Sequence, residues 1–303
     1  MNAAADKGCF QILDENIQFH PIYHLSLLFS EKAWFFQNFY VIIHLIYILS
    51  NFGAIINMRM RKKRHGSERV QALSALYFVG EGEIWSDINK TFAENQPLAL
   101  EIGCGKGDFI TALSARDREY NYLAVEKIAD VSVCAAEKYA RSRGLGDMAP
   151  NGGWRAPDGE IYKDGAAWDI PMEMRGNVRF AVDDAMNVLG HLPDCSVAVI
   201  YANFSDPWPK KGYENRRLTS PAFLKEYIRV LAPGGRFVFK TDNDGLFEYS
   251  LETVGASALT MGYHTFDLHS SDRAASNIMT EYERNFSEKG VKIKMLEAEK
   301  AEE

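Results

Sequence analysis

The stretch Leu98-Ala-Leu-Glu101-Ile-Gly103-Cys-Gly105-Lys-Gly107-Asp108-Phe109 decides the fold. An apolar run over Leu98–Gly103 reads as a buried strand; it breaks into three glycines at alternate positions and passes into a helix expected over Phe109–Ala115. The same alternation repeats outward. Strands are expected over Tyr120–Val125, Val178–Val182, Val197–Tyr201 and Arg236–Thr241, with helices over Ala129–Arg143 and Pro221–Leu231 between them. Strands alternating with helices make an α/β chain with a doubly wound parallel sheet. A helix near Leu246–Thr260 and two further strand-like runs, Tyr263–Leu268 and Val291–Leu296, follow. The two runs are expected to add to one edge in antiparallel fashion, giving a mostly parallel seven-stranded sheet.

The 303 residues, 47% hydrophobic and 25% charged, exclude a disordered or collagen-like chain. Four cysteines (Cys9, Cys104, Cys134, Cys195) form no C-x-x-C pair and no metal-ligand spacing, so neither a disulfide framework nor a metal site is expected, and the reducing cytoplasm fits. A formal charge of −7 argues against a protein that coats nucleic acid non-specifically. Phe39–Ile56 is apolar over about the minimum length for a membrane helix and is followed by Arg59, Arg61, Lys62, Lys63 and Arg64. His44, Asn51 and Gly53 interrupt it, and Met58 and Met60 offer alternative starts. The preferred reading makes residues 1–57 an upstream extension and 58–303 one domain; the other makes the apolar run a membrane or interfacial helix. Residues 144–176, with seven glycines and three prolines, read as an insertion loop, and the acidic tail 297–303 as frayed.

At the glycine turn the spacing is G-x-G-x-G rather than the G-x-G-x-x-G of dinucleotide enzymes, and Glu101 sits just before the first glycine. Gly103 and Gly105 let a ligand approach the backbone, while a carboxylate there suits a cationic cofactor better than a pyrophosphate. S-adenosylmethionine is such a cation; a dinucleotide is the runner-up. Glu126, closing the second strand, is placed for two ribose hydroxyls, and Asp184, after the third, for an adenine amine.

The fourth strand runs into Asn203-Phe-Ser-Asp206-Pro-Trp-Pro-Lys210-Lys211, where two prolines stiffen the backbone beside an aromatic ring and an acceptor. Lys210, Lys211, Arg216 and Arg217 supply charge for phosphates. The combination suits a nucleic-acid base presented to a methyl donor.

These residues resemble the tRNA (guanine-N7-)-methyltransferases of the TrmB type, from RMRKKRHGSERVQAL at Arg59 through LALEIGCGKGDF, AVEKI, FSDPWPKK, GGRFVFKTDN and TEYERNF. FSDPWPKK and TEYERNF are the specific ones. The resemblance implies a Rossmann-like class I methyltransferase that takes S-adenosyl-L-methionine and methylates N7 of a guanosine in the tRNA variable loop. It implies cofactor contacts from Glu101, Gly103, Gly105, Glu126, Asp184 and Asp206, with Asp206 as the catalytic carboxylate. Substrate contacts are implied at Lys210, Asp242, Thr280, Glu281, Tyr282 and Glu283. DNA is not expected as a partner, nor a WD-repeat protein, since the Asp-Pro-Trp form is the bacterial one. Members with this motif often continue with basic residues and a histidine; here Gly212, Tyr213, Glu214 and Asn215 intervene and weaken the phosphate grip. The rivals are a methyltransferase for an exocyclic amine, a catalytically silent RNA-binding protein and a membrane-anchored scaffold.

Overall fold

The computed structural model describes residues 66–78, 82–150 and 152–302. The apolar run 39–56 and the basic run 59–64, with the readings attached to them, lie outside the described residues. No helix among the described residues is long and apolar enough to cross a membrane.

In chain order the elements are α1 (Gly66–Ala72), β1 (Leu98–Ile102), α2 (Asp108–Arg116), β2 (Asn121–Glu126) and α3 (Ala129–Ser142). Three two-residue strands follow, β3 (Asp147–Met148), β4 (Trp154–Arg155) and β5 (Ile161–Tyr162). The remainder is β6 (Val178–Val182), α4 (Ala185–His191), β7 (Val197–Asn203), α5 (Pro221–Val230), β8 (Leu231–Thr241), α6 (Asp244–Gly255), β9 (Leu259–Thr265), α7 (Glu281–Ser287) and β10 (Lys294–Lys300).

Seven strands form one sheet in the order β6-β2-β1-β7-β8-β10-β9. All five residues of β1 are buried, as a central parallel strand covered on both faces requires. Leu98, Leu100 and Ile102 pack on one face with residues of α4, α5 and α6, and Ala99 on the other with residues of α1, α2 and α3. Successive strands step outward on opposite sides of β1 and β7, so the order reverses between these two. The carboxyl ends that meet at such a reversal form the crevice where open α/β sheets bind ligands.

The expected edge is present, with a difference in its layout. β10 lies between β8 and β9 and is antiparallel to both, so the antiparallel strand stands one place in from the edge. The tail is not frayed through Lys300: Leu296-Glu-Ala-Glu299 alternates between core and surface, and Lys300 donates to the Leu231 carbonyl at 2.7 Å. α6 ends at Gly255, short of Thr260, and β9 begins earlier than the run at Tyr263 suggested. Residues 144–176 are likewise more than a loop. β3, β4 and β5 make a small antiparallel sheet anchored by Trp154, 2% exposed, whose Nε1 donates to the Leu145 carbonyl at 2.8 Å. Two-residue strands are too short to show an alternation in the sequence, which is why they escaped it.

Candidate active site

The three loop glycines are left-handed, with φ of 76° at Gly103, 55° at Gly105 and 77° at Gly107, yet they serve different needs. A Cβ at Gly103 or Gly105 would meet nothing within 4 Å, so open space faces them and a ligand can come close. A Cβ at Gly107 would lie 2.7 Å from the Ala135 Cβ, so this glycine lets the start of α2 pack on α3. Backbone amides of Gly103 and Cys104 both donate to the Val125 carbonyl (2.9 and 3.0 Å), which ties the loop to the end of β2. Glu126 completes the tie: one carboxylate oxygen accepts from Gly105 N (3.1 Å) and the other from Ile128 N (3.0 Å).

Gly103, Gly105, Glu126, Asp184, Asp206 and Trp208 line one cleft of about 800 Å³ at the carboxyl ends of β1, β2, β6 and β7. Five of the six expected cofactor residues are therefore brought together. Asp184 also caps α4, accepting from Met186 N at 3.0 Å, and its other oxygen accepts from Lys127 Nζ at 2.8 Å. That hydrogen bond is the main reason its carboxyl is held below the usual carboxylate range. The sixth residue, Glu101, is not a wall of the cleft. It lies beneath the loop, 2% exposed, with Oε2 unpaired, and burial pushes its carboxyl up to about 8 against the opposing pull of Asn203 and Lys240.

The corner after β7 is strained. Phe204 (φ 53°) and Trp208 (φ 42°) are non-glycine residues in the left-handed region, a cost of about 1–3 kcal/mol each that is typically stored at working sites. Arg217 holds the turn by donating to the Pro207 and Trp208 carbonyls (3.1 and 3.0 Å) while its guanidinium lies over Tyr249. It is thus committed to the corner, whereas Lys210 and Lys211 are exposed. The Arg216 guanidinium sits 4.9 Å from the Trp208 ring centre and 4.7 Å from that of Tyr213, on the cleft wall.

The carboxyl-terminal residues approach the same corner from α7. Thr280 caps the helix, accepting from Glu283 N at 3.0 Å. Glu283 is fully buried, with both oxygens engaged, while Glu281 and Tyr282 are exposed. The Tyr282 ring packs 5.0 Å from Phe204 and 4.5 Å from Phe286. Partial burial, with Asp242 and Asp206 nearby, pushes its hydroxyl up to about 12; burial likewise raises the Asp242 carboxyl. Asp206, Asp242, Phe204 and Tyr282 thus share one neighbourhood, and Lys210 stands outside the cleft wall.

A family model described as "Putative methyltransferase" matches residues 95–296. The chain is 36% identical over 241 residues, 80% of its length and 98% of the relative's, to the tRNA (guanine-N(7)-)-methyltransferase of Listeria monocytogenes serotype 4a (strain HCC23). The chain belongs to the tRNA (guanine-N(7)-)-methyltransferase family. A second relative of the same name, from Listeria welshimeri, is 35% identical with the same coverage. Among solved structures, one titled "Structure of an Antibiotic Related Methyltransferase" is similar at a TM-score of 0.47 and 12% identity, over 76% of this chain and 98% of that one.

In this member of the methyltransferase family the sequence did not single out three groups that the structure does. Asn203 lines the cleft with a buried amide that faces the Glu101 carboxyl, Ser205 lines it with a buried hydroxyl that has no partner, and Lys240 is a buried lysine under the corner. Asn203 and Ser205 flank Phe204 on a strand end, a place where polar residues are ordinary, so nothing marked them. Lys240 does interrupt the apolar run Phe237-Val-Phe239, and that interruption was a usable signal. The orphaned Ser205 hydroxyl and the open glycine cradle fit a polar cofactor, and Glu126 and Asp184 are acceptors of the kind that ribose hydroxyls and an adenine amine require.

Proposed function

We propose that the chain transfers a methyl group from S-adenosyl-L-methionine to N7 of a guanosine in the tRNA variable loop. The observation that carries this reading is the convergence of the glycine cradle and the Asp206-Pro-Trp corner on one cleft, in a chain of this family. Residues 58–303 form the methyltransferase domain, with 144–176 as an insertion, acting in the cytoplasm without DNA or an obligatory protein partner.

When bound, S-adenosylmethionine supplies a methyl group on a positively charged sulfur. Gly103 and Gly105 give it access to the backbone, Glu126 and Asp184 accept from its nucleoside, and Glu101 places carboxyl chemistry beneath the cradle. Guanine N7 carries a free lone pair at neutral pH, so no side chain has to withdraw a proton, and positioning supplies most of the acceleration. Alkylation leaves the purine cationic. The Asp206 carboxylate beside it stabilises that developing charge more than the neutral base.

Tyr282 and Phe204 offer aromatic surface to the base, with Asp242 beside Tyr282, and the exposed Glu281 is a further substrate contact. Thr280 and Glu283 act through the helix they hold. Lys210, Lys211 and Arg216 meet phosphates, so affinity falls with salt. An exposed, unstacked base is the natural target for such a surface.

The test is incubation with labelled cofactor and unmodified tRNA, followed by mass analysis of the nucleosides. N7-methylguanosine supports the reading. An N-methylated exocyclic amine would transfer it to the rival enzyme class, and tRNA binding without transfer to the silent RNA-binding protein.

A further inference from the structure

Lys240 stands at the end of β8, 2% exposed, with all three donors used: to Asn277 Oδ1 (3.0 Å), the Ile278 carbonyl (3.1 Å) and Glu283 Oε2 (2.9 Å). Glu283 closes the network by accepting from Asn277 Nδ2 (2.6 Å) and pairing with His269 Nε2 (2.7 Å) on its other oxygen. One ammonium therefore fastens three points of residues 277–283 to the sheet. Lys240 also faces the other way. Its carbonyl accepts from Phe204 N (2.8 Å), and its Nζ lies 5.7 Å from the Phe204 ring centre.

Stability alone does not call for this arrangement. A buried ion pair is expensive to desolvate, and well-packed apolar residues of similar volume often serve the fold as well. What the pair uniquely supplies here is a fixed distance between two segments. Phe204 sits on the strained corner and Tyr282 adjoins Glu283, and their rings meet at 5.0 Å.

We infer that Lys240 is a positioning residue for methyl transfer: through Glu283 it fixes α7 against the end of β7, so that Tyr282 and Phe204 present one rigid aromatic surface to the substrate base. This rests on the proposed tRNA guanine methylation and adds the device that aligns its substrate side. Misplacement of a reacting group by about 1 Å can cost about 100-fold in rate, which sets the expected scale.

The experiment compares the full chain with Lys240→Met, with the paired replacement Lys240→Met/Glu283→Leu, and with that pair carrying Tyr282→Leu. Thermal unfolding, S-adenosylhomocysteine affinity, and kcat and KM for tRNA are measured. Lys240→Met removes the ammonium from Glu283 Oε2, leaving that buried oxygen without a donor while Asn277 and His269 still hold Oε1, and so lowers the melting temperature; the paired replacement recovers it. In the paired variant S-adenosylhomocysteine affinity stays within about twofold while kcat falls by about 100-fold. Adding Tyr282→Leu to that background costs little more, because Lys240 acts through Tyr282.

Recovery of turnover together with melting temperature overturns the inference, as does a loss of S-adenosylhomocysteine affinity in step with kcat, or a fully additive Tyr282→Leu effect. Should the core variants not fold, Asn277→Leu at the partly exposed end of the network decides: a several-fold loss of kcat at unchanged S-adenosylhomocysteine affinity supports the assignment, and unchanged kcat overturns it. A wild-type chain that methylates no tRNA would instead remove the functional reading itself.

Discussion

Raising the pH asks the Glu101 carboxyl to lose its proton in a place that resists the charge. Its ordinary value is 4.5, and burial under the glycine loop pushes it up to about 8. The folded chain thus holds this proton more tightly than the unfolded chain does. The stability gained is fully present below about pH 4.5 and is lost as pH rises through about 8. At about 1.4 kcal/mol per pH unit the whole gap amounts to roughly 5 kcal/mol, and roughly 3 kcal/mol of it falls between about pH 5.5 and about pH 8.5.

Urea unfolding of the wild type and of Glu101→Gln across that window measures it directly. The wild type should lose about 3 kcal/mol relative to the variant, which has no proton to release there. A cation bound near the carboxyl favours its ionised form, so S-adenosylmethionine binding near neutral pH should release a proton. Calorimetry in two buffers of different ionisation enthalpy counts it, and Glu101→Gln should release none. Parallel stability curves and equal proton counts would refute the reasoning.

Asp206→Ala should lower kcat by about 100-fold and weaken S-adenosylhomocysteine binding far less, as single-turnover kinetics and calorimetry can separate. Gly107→Ala puts a side chain at φ 77° and a Cβ 2.7 Å from that of Ala135, so chemical unfolding should show a loss of about 2–5 kcal/mol. The tRNA affinity should fall linearly on a log–log salt plot, and Arg216→Ala should reduce the slope by about one, whereas Arg217→Ala, which unpins the Pro207-Trp208 turn, should lower kcat as well.

The sheet was legible because β1, β2, β6 and β7 are fully parallel strands whose apolar runs end in chemically unusual residues. What stayed hidden depends on long-range placement. β10 inserts between β8 and β9, a pairing that a period of two in Leu296-Glu-Ala-Glu299 cannot specify. Strand ends likewise marked Gly103, Gly105, Glu126, Asp184 and Asp206 as one group, since the adjacent parallel strands β6, β2, β1 and β7 all deliver their carboxyl ends to one crevice. The orientation of Glu101, beneath the loop rather than in the cleft, follows from the pleat: its neighbours Leu100 and Ile102 face the α4–α6 side, so Glu101 faces the other. That four basic residues after β7 divide into one clamp, Arg217, one stacked wall residue, Arg216, and two exposed lysines depends on carbonyl and ring contacts that composition does not encode.

A crystal structure of the full chain with S-adenosylhomocysteine tests the central claim most directly. The account predicts its adenosine against Glu126 and Asp184, with its sulfur turned toward Asp206 and the Phe204–Tyr282 surface. A sulfur facing away from that corner, or a ligand seated outside this cleft, would contradict it.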